Sequence, residues 1–173
     1  MPRHIGLLRG INVGGKHRVP MAELRTLLEG LGFTGVDTYV QSGNVVFTSV
    51  GPVTSAGLEA ALAQRFGFDI AVVLRTPAQM RRIVDDDPFP LVESTKLHVV
   101  FTDGAIPAKA VAELDVGSFA PEELVVHGRE AYLHLPGGMG RARMPAVLLS
   151  RLAVRTTVRN WNTVTTLAGL AHR

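Results

Sequence analysis

Twice within the first 76 residues a run of apolar side chains at helical spacing closes on Gly-Phe, and each run is bracketed by short β-type segments. Met21, Leu24, Leu28 and Leu31 recur down one face behind Val19-Pro20, where proline suits the first helical position, and the run ends at Gly32-Phe33. Leu58, Ala61, Leu62 and Phe66 do the same behind Thr54 or Ser55 as cap, ending at Gly67-Phe68. In both, glycine supplies the left-handed residue that stops the helix, and the phenylalanine beyond it folds back on the last turn. His4 to Arg9 precedes the first helix as a buried strand. Thr38 to Gln41 and Val45 to Thr48 flank Ser42-Gly43-Asn44 as a hairpin, and Ile70 to Leu74 is a further strand.

The order βαββαβ is the split βαβ unit of ferredoxin-like domains. It then repeats in element order. A connecting helix runs from Thr76-Pro77 through Ile83 and ends before Asp85-Asp86-Asp87-Pro88. Leu97 to Phe101 is a strand, Pro107 to Leu114 a helix, and Leu124 to Val126 with Tyr132 to Leu135 a hairpin turning at Gly128-Arg129. Met144 to Leu152 is a helix, Val154 to Val158 a strand, and a last amphipathic helix carries Trp161, Val164, Leu167 or Ala168, and Ala171. The expected fold is α+β: a ferredoxin-like half over 1–76, a linker helix and loop over 77–95, a second ferredoxin-like half over 96–159, and a C-terminal helix over 160–173.

Composition excludes several functions. The chain has no cysteine, so no disulfide framework, thiolate metal site or Cys nucleophile exists, which fits a reducing compartment. No apolar run approaches the length of a membrane span, and the N-terminal apolar stretch is too short for a signal peptide, so a cytoplasmic location is expected. With 46% hydrophobic and 19% charged residues the chain is built to fold. Its net charge of +3 is unevenly spread: from Ala131 to Arg173 there is no Asp or Glu, whereas Arg141, Arg143, Arg151, Arg155, Arg159 and Arg173 fall there. Either an anionic partner faces this region, or the arginines pair with acids elsewhere, such as Asp85, Asp86 and Asp87.

The stretch Gly10-Ile11-Asn12-Val13-Gly14-Gly15-Lys16-His17 meets the GxxxxGK spacing of a phosphate-binding loop, yet histidine replaces the hydroxyl that should hold Mg²⁺. The helix starts near Pro20, several residues late, so this is not a Walker loop. A looser anion site remains open beside the alternative of a glycine-dependent connection: Arg9, Lys16 and Arg18 bring charge, and the amides of Gly14 and Gly15 could take an anion's oxygens. In a βαββαβ unit the loop after the first strand and the hairpin turn share one end of the sheet, which gathers Arg9, Asn12, Lys16, Ser42 and Asn44. In the second half, Pro136 to Arg143 shares an end with Arg159-Asn160-Trp161-Asn162. If the two ends face each other, one polar, basic cleft results. Asn160 or Asn162 caps the last helix with Trp161 as its anchor, or Trp161 stacks on a ring whose edge the asparagines read. The aspartate run lacks calcium-loop spacing and the six histidines lack metal-ligand spacing, so no metal and no cofactor is expected.

Leu8 to Gly15, Thr38 to Phe47, Pro136-Gly137-Gly138 and Arg159 to Val164 together resemble the family catalogued as domain of unknown function 1697, and Met21 to Leu24 and Pro88-Phe89 are similar to it as well. The resemblance implies an uncharacterised, mostly bacterial protein with no established reaction. The residues themselves lead to a small anionic ligand, a nucleotide or phosphorylated metabolite, held by Arg9, Asn12, Gly14, Gly15, Lys16, Ser42, Asn44, Arg159, Asn160 and Trp161. Catalysis is left open, with Lys16 and His17 the nearest acid or base candidates. Two alternatives stand beside it: a nucleic-acid binder using the arginine-rich C-terminal region, and a regulatory or interaction module without catalysis. Oligomeric state is not readable.

Overall fold

A computed structural model describes residues 1–152 and 155–173. Among these the fold is α+β, with two four-stranded antiparallel sheets and six α-helices. The described residues divide into two compact units, one of Met1–Arg81 with Leu167–Arg173 and the other of Arg82–Thr166.

The first unit runs β1 (Arg3–Leu8), α1 (Met21–Gly30), β2 (Thr34–Tyr39), β3 (Asn44–Thr48), α2 (Ser55–Phe66) and β4 (Val72–Arg75), with sheet order β2-β3-β1-β4. α3 (Pro77–Asp85) follows, opened by a reciprocal cap in which Thr76 Oγ1 accepts from Gln79 N and Gln79 Oε1 accepts from Thr76 N. The second unit contains β5 (Leu97–Thr102), α4 (Ala108–Ala112), β6 (Glu123–His127), β7 (Glu130–His134), α5 (Met144–Ser150) and β8 (Thr156–Asn160), with sheet order β6-β7-β5-β8. α6 (Trp161–Ala171) closes the chain. Short 3-10 turns at Ser94–Lys96, Val116–Phe119 and Met139–Arg141 are not expected from the pattern, because turns of three or four residues carry no periodicity.

The helix ends follow their capping chemistry. Gly32 lies at φ +90, its N–H donates to Glu29 O, and Phe33 N donates to Leu28 O, the paired bonds of a Schellman motif. Thr54 Oγ1 accepts from Gly57 N at 3.0 Å and Gly67 sits at φ +83, so α2 is capped at both ends as its sequence implies. Pro20 is not the first residue of α1 but flanks it in extended conformation, ψ 134. β4 begins two residues later than expected, and Leu114 and Leu152 fall beyond their helices. The expected strand start at Val154 lies outside the described residues; β8 spans Thr156–Asn160.

Each unit has its own core. Leu24 and Leu28 of α1 and Leu58 and Leu62 of α2 pack with Leu8, Val45, Phe47 and Val72, whereas Val100, Ala131, Leu133 and Leu135 pack with Met144 and Leu148. Burial of each such leucine contributes about 1.5–3 kcal/mol. The central strands show no alternation: residues 5–8 of β1, 44–47 of β3 and all six residues of β5 are buried, so both faces of these strands are shielded from solvent.

A histidine stands second in β1 and second in β5. His4 Nε2 and His98 Nδ1 are buried without a hydrogen-bond partner among the described residues, and burial lowers the pKa of both imidazoles from the ordinary 6.5. In the unfolded chain each takes up a proton near 6.5, and in the fold it does so only at lower pH. The stability present above 6.5 is therefore lost as pH falls toward the folded values. The melting temperature is expected to drop between about pH 7 and pH 5, and His98→Leu should flatten that drop. An unchanged pH profile in the variant would clear His98 of the effect.

Candidate functional site

The glycine loop folds back on itself. Lys16 N donates to Val13 O and Asn12 N to His17 O, each at 3.0 Å, and Val13 and Lys16 form a β-bridge. Between them Gly14 and Gly15 take φ +59 and +74, the left-handed pair that a two-residue type I′ turn requires. A small exposed hairpin results, and α1 begins only at Met21. That is not the P-loop geometry, in which loop amides lead directly into the first helical turn.

Asn12 joins this hairpin to the β2–β3 turn. Its Oδ1 accepts from Val19 N at 2.8 Å, and its Nδ2 donates to Val19 O at 3.0 Å and to Gln41 O at 2.8 Å. Leu8 N donates to Gly43 O at 2.9 Å on the same seam. On the far side of the turn Asn44 is fully buried, with Nδ2 donating to Tyr39 O at 2.8 Å and Ser42 Oγ at 3.1 Å. β2 stops two residues earlier than its sequence suggests, whereas β3 takes in Asn44 from the expected turn: Tyr39 pairs with Asn44, and Val40 and Gln41 belong to the turn. His17 completes the clamp, with Nδ1 3.3 Å from Gly10 O and its ring stacked on Phe68 at 4.5 Å.

Backbone strain concentrates here. Asn12, His17 and Val40 hold φ of 54, 51 and 51. Asparagine tolerates the left-handed region, but a β-branched residue such as Val40 rarely enters it, and such strain is retained where surrounding bonds over-determine it. Val13 and Val40 are exposed, as are Arg9, Lys16, His17 and Arg18.

The ten candidate residues therefore separate. Arg9, Asn12, Gly14, Gly15, Lys16, Ser42 and Asn44 gather at one end of the first sheet; Arg159, Asn160 and Trp161 belong to the second unit. Asn160 Oδ1 accepts from Thr163 N at 2.9 Å, capping α6. Trp161 is half-buried, its ring tilted against Tyr132 at 6.3 Å. Arg159 is buried, Nη1 donates to Thr157 Oγ1 at 2.6 Å and to Val158 O at 2.9 Å, and burial lowers its pKa to about 10, which still leaves it charged at neutral pH. Sequence reasoning passed over Gln41, Gly43 and His17's stack on Phe68, because bonds made by a backbone carbonyl or a ring face leave no residue-type signature.

Two cavities lie elsewhere among the described residues. A cavity of about 450 Å³ along α1 is lined by Ala22, Thr26, Leu27, Gly30 and Leu31, and its charges cancel in the Glu23–Arg65 pair at 3.1 Å. In the second unit a cavity of about 190 Å³ beside Pro136, Gly137 and Gly138 includes Arg141 and Arg143 but also Glu122, whose carboxylate accepts from Arg143 N and Met144 N. Among the described residues, C-terminal arginines pair with acids outside the aspartate run: Arg155 with Asp103 at 3.1 Å and Arg151 with Glu113 at 3.9 Å. Asp87 instead accepts from Phe89 N. Among the described residues no cluster of His, Asp or Glu is arranged to hold a metal, and no helix is long and apolar enough to cross a membrane.

The chain matches the protein family of unknown function DUF1697 over residues 1–132, more than half its length, and belongs to that family. The matched span contains both stretches that Asn12 ties together. Among solved structures the chain is similar to the conserved bacterial protein SP0830 from Streptococcus pneumoniae, at 24% identity over 98% of each chain and a TM-score of 0.74. That likeness is one of fold. No curated protein matches.

Proposed function

We propose that this DUF1697 member binds a small anionic ligand, a nucleotide or phosphorylated metabolite, on the loop–turn surface of its first unit. The observation that carries this reading is the Asn12 clamp, which holds a strained, exposed hairpin against a second turn and leaves Arg9, Lys16 and Arg18 exposed around it. Asn12 and Asn44 build the surface, because their side chains are engaged with backbone; Arg9, Lys16 and Arg18 supply charge, with Ser42 and the exposed Gly14-Gly15 tip beside them. Lys16 and His17 are the groups placed for acid–base work if the ligand turns over. Arg159, Asn160 and Trp161 take structural roles in this scheme.

The same reading treats each unit as a ferredoxin-like half, supported by βαββαβ element order and the matching strand orders, with α3 as connector in the 1–76, 77–95, 96–159 and 160–173 scheme. A cytoplasmic setting agrees with a chain free of cysteine. Nucleic-acid binding of the RNA-recognition kind is disfavoured, since that mode stacks bases on an open sheet face and the central strands here are buried on both faces.

Titration calorimetry with nucleoside di- and triphosphates, pyrophosphate and sugar phosphates tests the proposal. Lys16→Ala with Arg18→Ala should weaken binding about tenfold or more while leaving the melting temperature nearly unchanged, both residues being exposed. No binding by any of these anions, or equal affinity in the double variant, overturns it.

A further inference from the structure

The two sheets end in four edge strands among the described residues: β2, β4, β6 and β8. An edge offers unpaired backbone N–H and C=O groups to any other strand, and proteins blunt such edges with bulges, charges or cover. Three of these are blunted. β2 is irregular between Thr34 and Asp37, with Gly35 at φ +57. β4 keeps Val72, Val73 and Arg75 buried, and β8 keeps Thr156, Thr157 and Arg159 buried.

β6 is different. Its five residues, Glu123-Leu124-Val125-Val126-His127, pair with β7 in unbroken register, contain no proline, lysine or bulge, and leave Leu124, Val125 and Val126 half-exposed. The segment is also complementary to itself. Laid antiparallel against a second copy about a two-fold axis through Val125, each Glu123 stands opposite the other copy's His127, each Leu124 opposite Val126, and the two Val125 residues meet. Opposite residues on one face of an antiparallel pair are the unit of sheet stabilisation, and here both outer pairs join a carboxylate to an imidazole and both inner pairs are apolar. Glu123 lies near His134 Nδ1 at 2.7 Å, yet its side chain remains 58% exposed. His127 is exposed, with its ring edge against Tyr132 at 5.4 Å.

We infer that β6 is the self-pairing edge through which two copies of this chain form a symmetric dimer, joining two four-stranded sheets into one of eight strands. The interface is isologous, as two-fold dimers require. This inference does not depend on the anion site.

Sedimentation velocity across a concentration series tests it with the full chain. The native chain should show a monomer–dimer equilibrium. Val125→Lys, an edge charge, should abolish the dimer while the melting temperature of the dilute protein holds. His127→Glu sets carboxylates against each other and should raise the dissociation constant roughly tenfold or more. Adding Glu123→Lys to it restores opposite charges in reversed order and should recover most of the loss, a rescue that disturbance of the fold would not give. A native chain that stays monomeric at all concentrations, a dimer that Val125→Lys leaves intact, or a charge swap without rescue each overturns the inference.

Discussion

Replacing Gly43 by alanine is expected to cost this protein about 3 kcal/mol, which for a chain of this size lowers the melting temperature by roughly 6–12 °C. Two separate penalties meet at this residue. Its φ of +89 lies where an L side chain is strained. A Cβ there would also stand 2.6 Å from Ile11 Cδ1 and 2.9 Å from Leu8 Cβ. Both contacts are part of a packed interior, since Leu8 and Ile11 are 2% exposed, so neither can give way cheaply. Gly43 O also accepts from Leu8 N, so a shift of the turn would break the bond that seats it on β1. Gly15→Ala separates the two terms. It shares the left-handed φ, at +74, but a Cβ there meets nothing within 4 Å. Gly15→Ala should therefore lose only about 1 kcal/mol, the backbone part. Equal losses from the two substitutions in urea melts would show that close packing of the turn on β1 contributes nothing.

Much of the architecture was legible because it rests on local chemistry. Gly32-Phe33 and Gly67 mark helix ends through φ alone, Thr54 caps by one hydroxyl, and Gly128-Arg129 forms the two-residue turn joining β6 and β7. What could not be read depends on partners distant in sequence. Val40 and Gln41 have strand-forming neighbours, yet they leave the strand because Asn12, 29 positions away, holds the Gln41 carbonyl. β1 reads as a buried strand from its apolar run alone, but β5 looks like an ordinary short strand and its burial on both faces is a tertiary fact. The candidate site was half legible for the same reason. Topology placed Arg9, Asn12, Lys16, Ser42 and Asn44 at one end of the sheet, but residue type could not tell a side chain that meets a ligand from one that meets backbone. Asparagine suits both, with one acceptor and two donors, and here Asn12 and Asn44 both turn inward.

Asn12→Ala is expected to be at least as damaging, at about 3–4 kcal/mol, and its pattern tests how the site is built. Val19 is fully buried, so removing Oδ1 leaves its N–H without the acceptor now 2.8 Å away, a loss of about 1–3 kcal/mol. Two further bonds, from Nδ2 to Val19 O and Gln41 O, go with it. Alanine also sits less easily than asparagine at φ 54. Asn12→Gly relieves only that last cost and should recover about 1 kcal/mol. Asn12→Asp retains the acceptor for Val19 N but replaces the Nδ2 that makes both donor bonds with one oxygen facing two carbonyls, so it should be no milder than alanine. Hydrogen exchange locates the effect. Because one side chain holds both segments, Asn12→Ala should raise exchange in residues 13–18 and 40–43 together. An increase confined to 13–18 would mean that the β2–β3 turn is held by Asn44 and Leu8 alone, and the loop–turn surface would then be two neighbouring loops instead of one constructed site. Joint loosening, accompanied by loss of anion affinity, would tie the clamp to the exposed cations it carries.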